Sequence, residues 1–348
     1  MAILRCVVEN TTDTPLAVSI CGNLSNFIGH DGTEGAPSRN RNVVIEEDSL
    51  AGIAFSSDGV GPAAPQHGTM GLAVLDPASF DLSYRTSWLD PDHLFRALTD
   101  FWHDFATDGR ADPREPGGKD DPAASLCASK VIGARSRETS TFGLGWRFPN
   151  RYTWTPAPGS EEPAADDAGG AGEGAGGDAA GACSGECTCS CDPDWIGNYY
   201  AGRHDDAWGY LREVADRLDE LERGTVDFVS AFAASDLPAV VKEAALFNLP
   251  PLRSQTSFRT PDGMFFGWEG CKDTTGCCYG ANPHVWNYEH ASALLFGELA
   301  MRMRELEFLH ATDEQGSMSF RVNLPLERAT EFGRNAADGQ MGCVAKLY

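Results

Sequence analysis

Lysine is almost missing from this chain. Of 348 residues, only Lys119, Lys130, Lys242, Lys272 and Lys346 carry an ammonium side chain. Arginine supplies the other cations, and 51 acidic against 27 basic residues leave a net charge of −24. A surface of that sign repels nucleic acid and anionic membrane faces, so no nucleic-acid partner is expected. Long apolar runs are missing as well. None approaches the roughly 18 residues that a membrane-crossing helix requires, so no membrane span is expected. Met1–Glu9 (MAILRCVVE) is too short and too polar for a signal peptide, and a cytoplasmic location is expected. A cysteine framework is also lacking. The 11 cysteines are irregularly spaced and odd in number, which makes a reduced compartment the simpler reading.

The apolar supply is ordinary, with 42% hydrophobic and 10% aromatic residues. The length suits one large or two ordinary domains. An acid-rich, lysine-poor surface stays hydrated at high salt. Two readings remain open: a halophilic, salt-adapted protein, or an acidic protein of any source.

Residues 1–155 read as mostly β. Apolar runs at Ile3–Val8, Leu16–Cys21, Val43–Glu46, Gly52–Ser56, Met70–Leu75, Phe80–Arg85 and Thr139–Trp146 are separated by Gly, Asn and Pro turns, which predicts a sandwich. One helix interrupts them after Pro91-Asp92, with Leu94, Leu98, Phe101 and Phe105 as its apolar stripe. Residues 156–194 form an acidic Gly/Ala-rich linker that cannot bury enough apolar surface to order itself. It ends in Cys183, Cys187, Cys189 and Cys191, whose spacing matches no paired C-x-x-C zinc knuckle, so no metal is assigned. From 195 to 348 the pattern turns helical. Asp205 or Asp206 can cap a helix carrying Trp208, Leu211, Ala215, Leu218 and Leu221. A second helix follows Asp236 and stops at Asn248–Pro251. The last eleven residues form a further helical pattern.

The densest chemistry lies in Phe265–Phe296, FFGWEGCKDTTGCCYGANPHVWNYEHASALLF. Gly267 and Gly270 bracket Trp268-Glu269, so the backbone there can turn tightly. His284, Trp286 and Tyr288 follow. From Glu289 to Phe308, apolar residues at Ala293, Phe296, Ala300 and Met303 predict one helix. Aromatic platforms beside a carboxylate suit a carbohydrate, whose CH faces pack on rings while the acid does the chemistry.

Five segments occur in order: GLGWRFPNRYTW (143–154), IGNYYAGRHDDAW (196–208), ALFNLPPLRSQT (245–256), FFGWEGCKDTTGCCYGANPHVWNYEHA (265–291) and ADGQMGCVAKLY (337–348). Together they resemble glycoside hydrolase family 116, which includes prokaryotic β-glucosidases and the non-lysosomal glucosylceramidase. The resemblance implies an α+β two-domain protein, an N-terminal β-sandwich followed by the first part of an (α/α)6 barrel. It implies retaining hydrolysis of β-glucosides, with β-xylosides or glucosylated lipids as further substrates, and no cofactor. By the family's aromatic-Glu-Gly motif, Glu269 is the nucleophile, and Asp338 is the closest match to the acid/base. Trp268, His284, Trp286, Tyr288 and Arg253 are expected around the sugar. Glu269 and His284 should face one cleft, with Trp268 or Trp286 on its wall.

Twelve barrel helices with their loops need on the order of 160–240 residues. Residues 195–348 hold only four or five recognisable helical segments. The chain is therefore expected to be a piece cut at both ends, with a separate chain supplying the rest of the barrel. Two classes of function stand: a carbohydrate hydrolase present as a fragment with little activity alone, or a non-catalytic carbohydrate-binding or residual protein from a split gene.

The charge makes one prediction directly. Self-repulsion should weaken the fold at low ionic strength and be screened at high. Circular-dichroism melts across a salt series should show Tm rising with salt. A flat or falling Tm removes the argument.

Overall fold

The computed structural model describes all residues except 31–36, 89–93, 115–119, 121, 154, 156–194, 248, 255, 268–269, 272–275, 278–280, 287–290 and 332–334. The expected linker and its four cysteines lie outside the described residues. Two compact units emerge: Met1–Asn150 with Gly197–Pro250, and Arg151–Ile196 with Pro251–Tyr348.

Alternating and continuous apolar runs make eight strands in the first unit. They are β1 (Ala2–Glu9), β2 (Leu16–Ser25), β3 (Asn40–Glu46), β4 (Leu50–Ser57), β5 (Thr69–Leu75), β6 (Asp81–Arg85), β7 (Ala123–Ile132) and β8 (Arg137–Arg147). Five form an antiparallel sheet in the order β1-β8-β5-β4-β3, and three form another in the order β2-β7-β6. Ile53, Phe55, Leu72, Val74 and Phe142 of the first sheet share a core with Ala124, Leu126 and Ala128 of the second. Two faces closed on one apolar layer are the arrangement of a β-sandwich.

Strand β7 has no counterpart among the predicted runs. Its sequence AASLCASKVI is dominated by small residues of weak strand preference, yet it is the central strand of the smaller sheet. Partners on both sides decide its conformation. The Asn10–Pro15 turn does not close a hairpin, because β1 pairs with β8 and β2 with β7. It carries the chain from one sheet to the other. Buried Asn10 organises it, donating to the carbonyls of Thr14 and Gly133, each at 2.9 Å, and accepting from the Thr12 amide at 2.9 Å. Cys21 and Cys127 stand directly opposite in the β2–β7 register and form a disulfide. Their separation of 106 residues left no spacing signal in the sequence.

The helix α1 (Leu94–Asp108) forms, but with a different inner face from the predicted stripe. Leu98 is 49% exposed, while Ala97 and Phe101 are buried. Arg85 is the cause. Its guanidinium is fully buried and pairs with Asp100 at 2.9 Å and with Asp104. Asp104 lies on the same helical face as Ala97 and Phe101, so satisfying the buried cation turns that face inward. Burial opposes the Asp104 charge, but the Asp112 amide, Arg85 and Arg114 outweigh it and hold its carboxyl below the usual range.

The helix α2 (Ala207–Ala234) begins where predicted. The Asp206 carboxylate accepts from the Gly209 amide at 2.7 Å, satisfying one orphan donor of the first turn. The Ala207 amide donates to Thr69 Oγ1 at 2.8 Å. Trp208 Nε1 and the Arg212 guanidinium both reach Glu47, at 3.1 Å and 2.6 Å. Leu211 then lies on a floor of glycines. A Cβ on Gly71, Gly143 or Gly145 would approach its side chain to 2.6, 2.8 and 2.9 Å. Bare backbone at these positions lets the helix sit on the five-stranded sheet. Glu222 still reaches Arg5 of β1, at 2.8 Å; beyond it Val226 and Val229 are exposed, as is Val240 of α3 (Ala239–Phe247).

The second unit opens with the hairpin β9 (Ser257–Arg259) and β10 (Phe265–Gly267), then the short pair β11 (Gly270–Cys271) and β12 (Gly276–Cys277). Helices α4 (Pro283–Trp286), α5 (Ala291–Leu295), α6 (Gly297–Glu305) and α7 (Ala337–Leu347) follow. The single helix expected over 289–308 is broken. Phe296 takes φ −138°, ψ 62° between α5 and α6, and α6 widens into a π turn at Leu306–His310. Phe258, Phe266, Leu306, Val322 and Leu324 make the core of this unit. Among the described residues no helix is long and apolar enough to cross a membrane.

The glycine floor predicts coupled energetics. Leu211→Ala should cost about 3 kcal/mol as a cavity. Gly143→Ala should also destabilise, but much less in the Leu211→Ala background, where space has opened. A denaturant double-mutant cycle should show a coupling of about 1 kcal/mol. Simple additivity would mean that Leu211 does not press on the sheet.

Candidate functional site

The second unit carries the stretch singled out in the sequence. Strand β10 brings Gly267 to the edge of Trp268-Glu269. Trp268, Glu269 and Tyr288 themselves lie outside the described residues. His284 falls within α4. Arg253 is exposed at the end of a 3-10 turn, Pro250–Arg253, and Asp338 is exposed in the first turn of α7.

Trp286 is only 7% exposed. Its indole lies flat against the backbone of Gly267, where any Cβ would overlap the ring. Phe265 meets it edge-on at 6.0 Å between centroids, and Met303 completes the cluster. The glycine before Trp268-Glu269 thus serves close approach: it admits an aromatic side chain from fifteen to twenty residues further along. Backbone bonds tie the same two segments. The Asn282 amide donates to the Gly267 carbonyl at 3.2 Å, and the Trp286 amide donates to the Asn282 carbonyl at 3.0 Å. Ala281 and Val322 exchange backbone bonds at 3.0 and 2.8 Å, anchoring the start of α4.

A buried polar cluster that sequence reasoning missed lies behind this wall. Glu307, in the π turn, is 2% exposed. Arg304 Nη2 donates to its Oε1 at 2.6 Å, and Arg304 Nε lies 2.6 Å from Oε2, too far off-axis for a second hydrogen bond. The Cys343 thiol of α7 meets the same carboxylate, and burial first, then Glu307, pushes its pKa up to about 12. Burial likewise raises the Glu307 pKa; Arg304, Cys343 and Lys346 pull it the other way without cancelling the lost hydration. The signal in the sequence was faint: Arg304/Glu307 and Cys343/Lys346 are i, i+3 pairs, each placing its partners on one helical face.

Among the described residues no group of His, Cys, Asp and Glu could hold a metal ion. A cavity of about 530 Å³ lies in the first unit, where Asp48, Asp76, Asp216 and Glu220 share its wall with Arg217 and Arg223. Every residue lining it belongs to that unit, and none belongs to the aromatic-glutamate stretch.

The raised Glu307 pKa has a definite sign. Folding favours its protonated form, so its stability contribution is full below the unfolded value of about 4.3 and is lost as pH rises through the folded value. Glu307→Gln should flatten that part of the profile in denaturant titrations at a series of pH values. A variant profile as steep as the wild type's would place the titration elsewhere.

Residues 1–221 match the family model described as beta-glucosidase 2, glycosyl-hydrolase family 116 N-term. The matched span covers both sheets and ends within α2, just past the turns docked on the glycine floor. No curated protein matches the chain. A model match over more than half the chain establishes that the chain belongs to glycosyl-hydrolase family 116.

Proposed function

We propose that the chain acts in retaining hydrolysis of β-glucosides, with β-xylosides and glucosylceramide-like lipids as further substrates. The observation that carries this reading is the family match over residues 1–221. The aromatic-Glu-Gly motif stands beyond the matched span, at the end of β10. In this reading residues 195–348 contribute helices of an (α/α)6 barrel, and 1–155 form the sandwich.

The chemistry needs two carboxyl groups in different states. Glu269, ionised, attacks the anomeric carbon and forms a glycosyl-enzyme ester. Asp338, protonated, gives its proton to the departing aglycone oxygen, then takes one from the water that cleaves the ester. Trp268 and Tyr288 supply apolar faces, buried Trp286 backs the motif through Gly267, and His284 and Arg253 supply donors to sugar hydroxyls. A second reading is carbohydrate binding without turnover. The exposure of Asp338 favours it, because a carboxylic acid kept protonated at neutral pH needs shielding from water.

Nitrophenyl β-glucoside, β-xyloside and β-galactoside, assayed at low and high salt, separate the two. Little turnover is expected on the glucoside from this chain alone, and Glu269→Gln should remove what there is. Asp338→Asn should slow nitrophenyl substrates less than alkyl glucosides, whose poorer leaving groups depend more on the proton. Turnover untouched by Glu269→Gln would sink the site assignment. Saturable sugar binding without turnover supports the second reading.

A further inference from the structure

The helix α7 is tied down at both ends by side chains outside the two proposed catalytic roles. Near its start, Gln340 Nε2 donates to the Gly316 carbonyl at 2.6 Å, and Asn335 Nδ2, just before it, donates to Ser317 Oγ at 2.7 Å. Near its end, Cys343 meets Glu307, and Lys346 Nζ donates to the main-chain carbonyl of Trp286. Trp286 is the last described residue of α4, and its carbonyl accepts the lysine's hydrogen bond. Lys346 is also one of only five lysines in a chain of net charge −24.

We infer that Lys346 is a positioning residue for the glycosidase site: it fixes the Trp286 main chain and so holds the Trp286 indole on Gly267, at the edge of Trp268-Glu269. The inference rests on the proposed role of Glu269. Three contacts carry it in series. Lys346 bonds the Trp286 main chain. The Trp286 ring covers Gly267, which has no side chain to resist it. Gly267 is two residues from Glu269, so a shift of the ring is passed to the nucleophile through short covalent geometry. Behind Lys346 stands the buried Arg304–Glu307–Cys343 group, which keeps the last turns of α7 from sliding along α6. A lysine is suited to this place because its ammonium can donate to a carbonyl while its long apolar stem lies against the neighbouring helix.

Lys346→Met keeps the stem and removes the donor; Lys346→Arg keeps a donor. The probe is 2,4-dinitrophenyl 2-deoxy-2-fluoro-β-glucoside. Its anomeric carbon is attacked by the nucleophilic carboxylate and dinitrophenolate leaves without needing a proton, so the labelling rate reads the nucleophile alone. Mass spectrometry locates the label, and hydrogen exchange of amides 282–286 reads the anchor. Wild type should label on Glu269. Lys346→Met should label roughly 10- to 100-fold more slowly, the scale of a misplacement near 1 Å, with faster exchange at 282–286 and a melting transition close to wild type. Lys346→Arg should restore most of the rate. Labelling of Lys346→Met at the wild-type rate overturns the inference while leaving the glycosidase reading intact, whatever the exchange shows. Slow labelling of Lys346→Met that Lys346→Arg does not rescue also overturns it. A wild-type chain that takes no label, or takes it elsewhere than Glu269, removes the glycosidase reading and the inference with it.

Discussion

The first unit depends on backbone left bare at three places in one sheet. Gly71, Gly143 and Gly145 lie under Leu211, and a Cβ at any of them would press on its side chain. Dispersion falls off steeply with separation, so helix and sheet gain most when nothing stands between side chain and main chain. The polar contacts of α2 fit the same docking: Asp206 caps its first turn, Thr69 accepts from Ala207, and Glu47 receives both Trp208 and Arg212. Glu47 is held below the usual carboxylate range by the Arg212 hydrogen bond, so this clamp is an ion pair across the neutral range. The opposite face of the same sheet closes the sandwich core. One sheet thus serves two apolar layers, which is why β4 and β5 read as nearly continuous apolar runs.

The second unit reuses the same device with the roles exchanged. At Gly267 the bare backbone receives a single indole, and the segment so fixed leads into the aromatic-glutamate motif. Here the support is polar. A buried carboxylate, a guanidinium and a thiol hold α7 against the π turn of α6, and a lysine reaches from α7 to the end of α4. Such clusters are costly to bury and add little net stability, but they define one register between the helices they join. In the proposed glycosidase reading, a carboxylate that attacks a sugar gains more from a defined register than from further apolar contact, because the reacting atoms must meet within a few tenths of an ångström.

Much of the fold was legible locally. Seven of the strands were visible as apolar runs bounded by turn residues, and α2 announced itself through Asp206 and the spacing of Trp208, Leu211 and Ala215. Strand β7 was not legible, because AASLCASKVI has weak strand preference and is extended by neighbours on both sides. The inner face of α1 was misjudged at Leu98, because apolar spacing says nothing of a buried arginine one sheet away. Periodicity across 289–308 hid the break at Phe296, since the apolar positions keep step through it. Of the site, the motif and its aromatic flanks stood out by composition, while Glu307 and Lys346 looked like ordinary helix-surface charges.

By itself, the sequence determined the net charge, the alternation of strands and turns, and the cap of α2. Strands, turns and caps each depend on residues within a few positions of one another. The tertiary structure alone decided which face α1 buries, that Cys21 meets Cys127, that Trp286 closes on Gly267, and that Glu307 leaves water. Those outcomes join residues 15 to 106 positions apart, and local propensity carries no information about which distant side chain will fill a space or neutralise a charge.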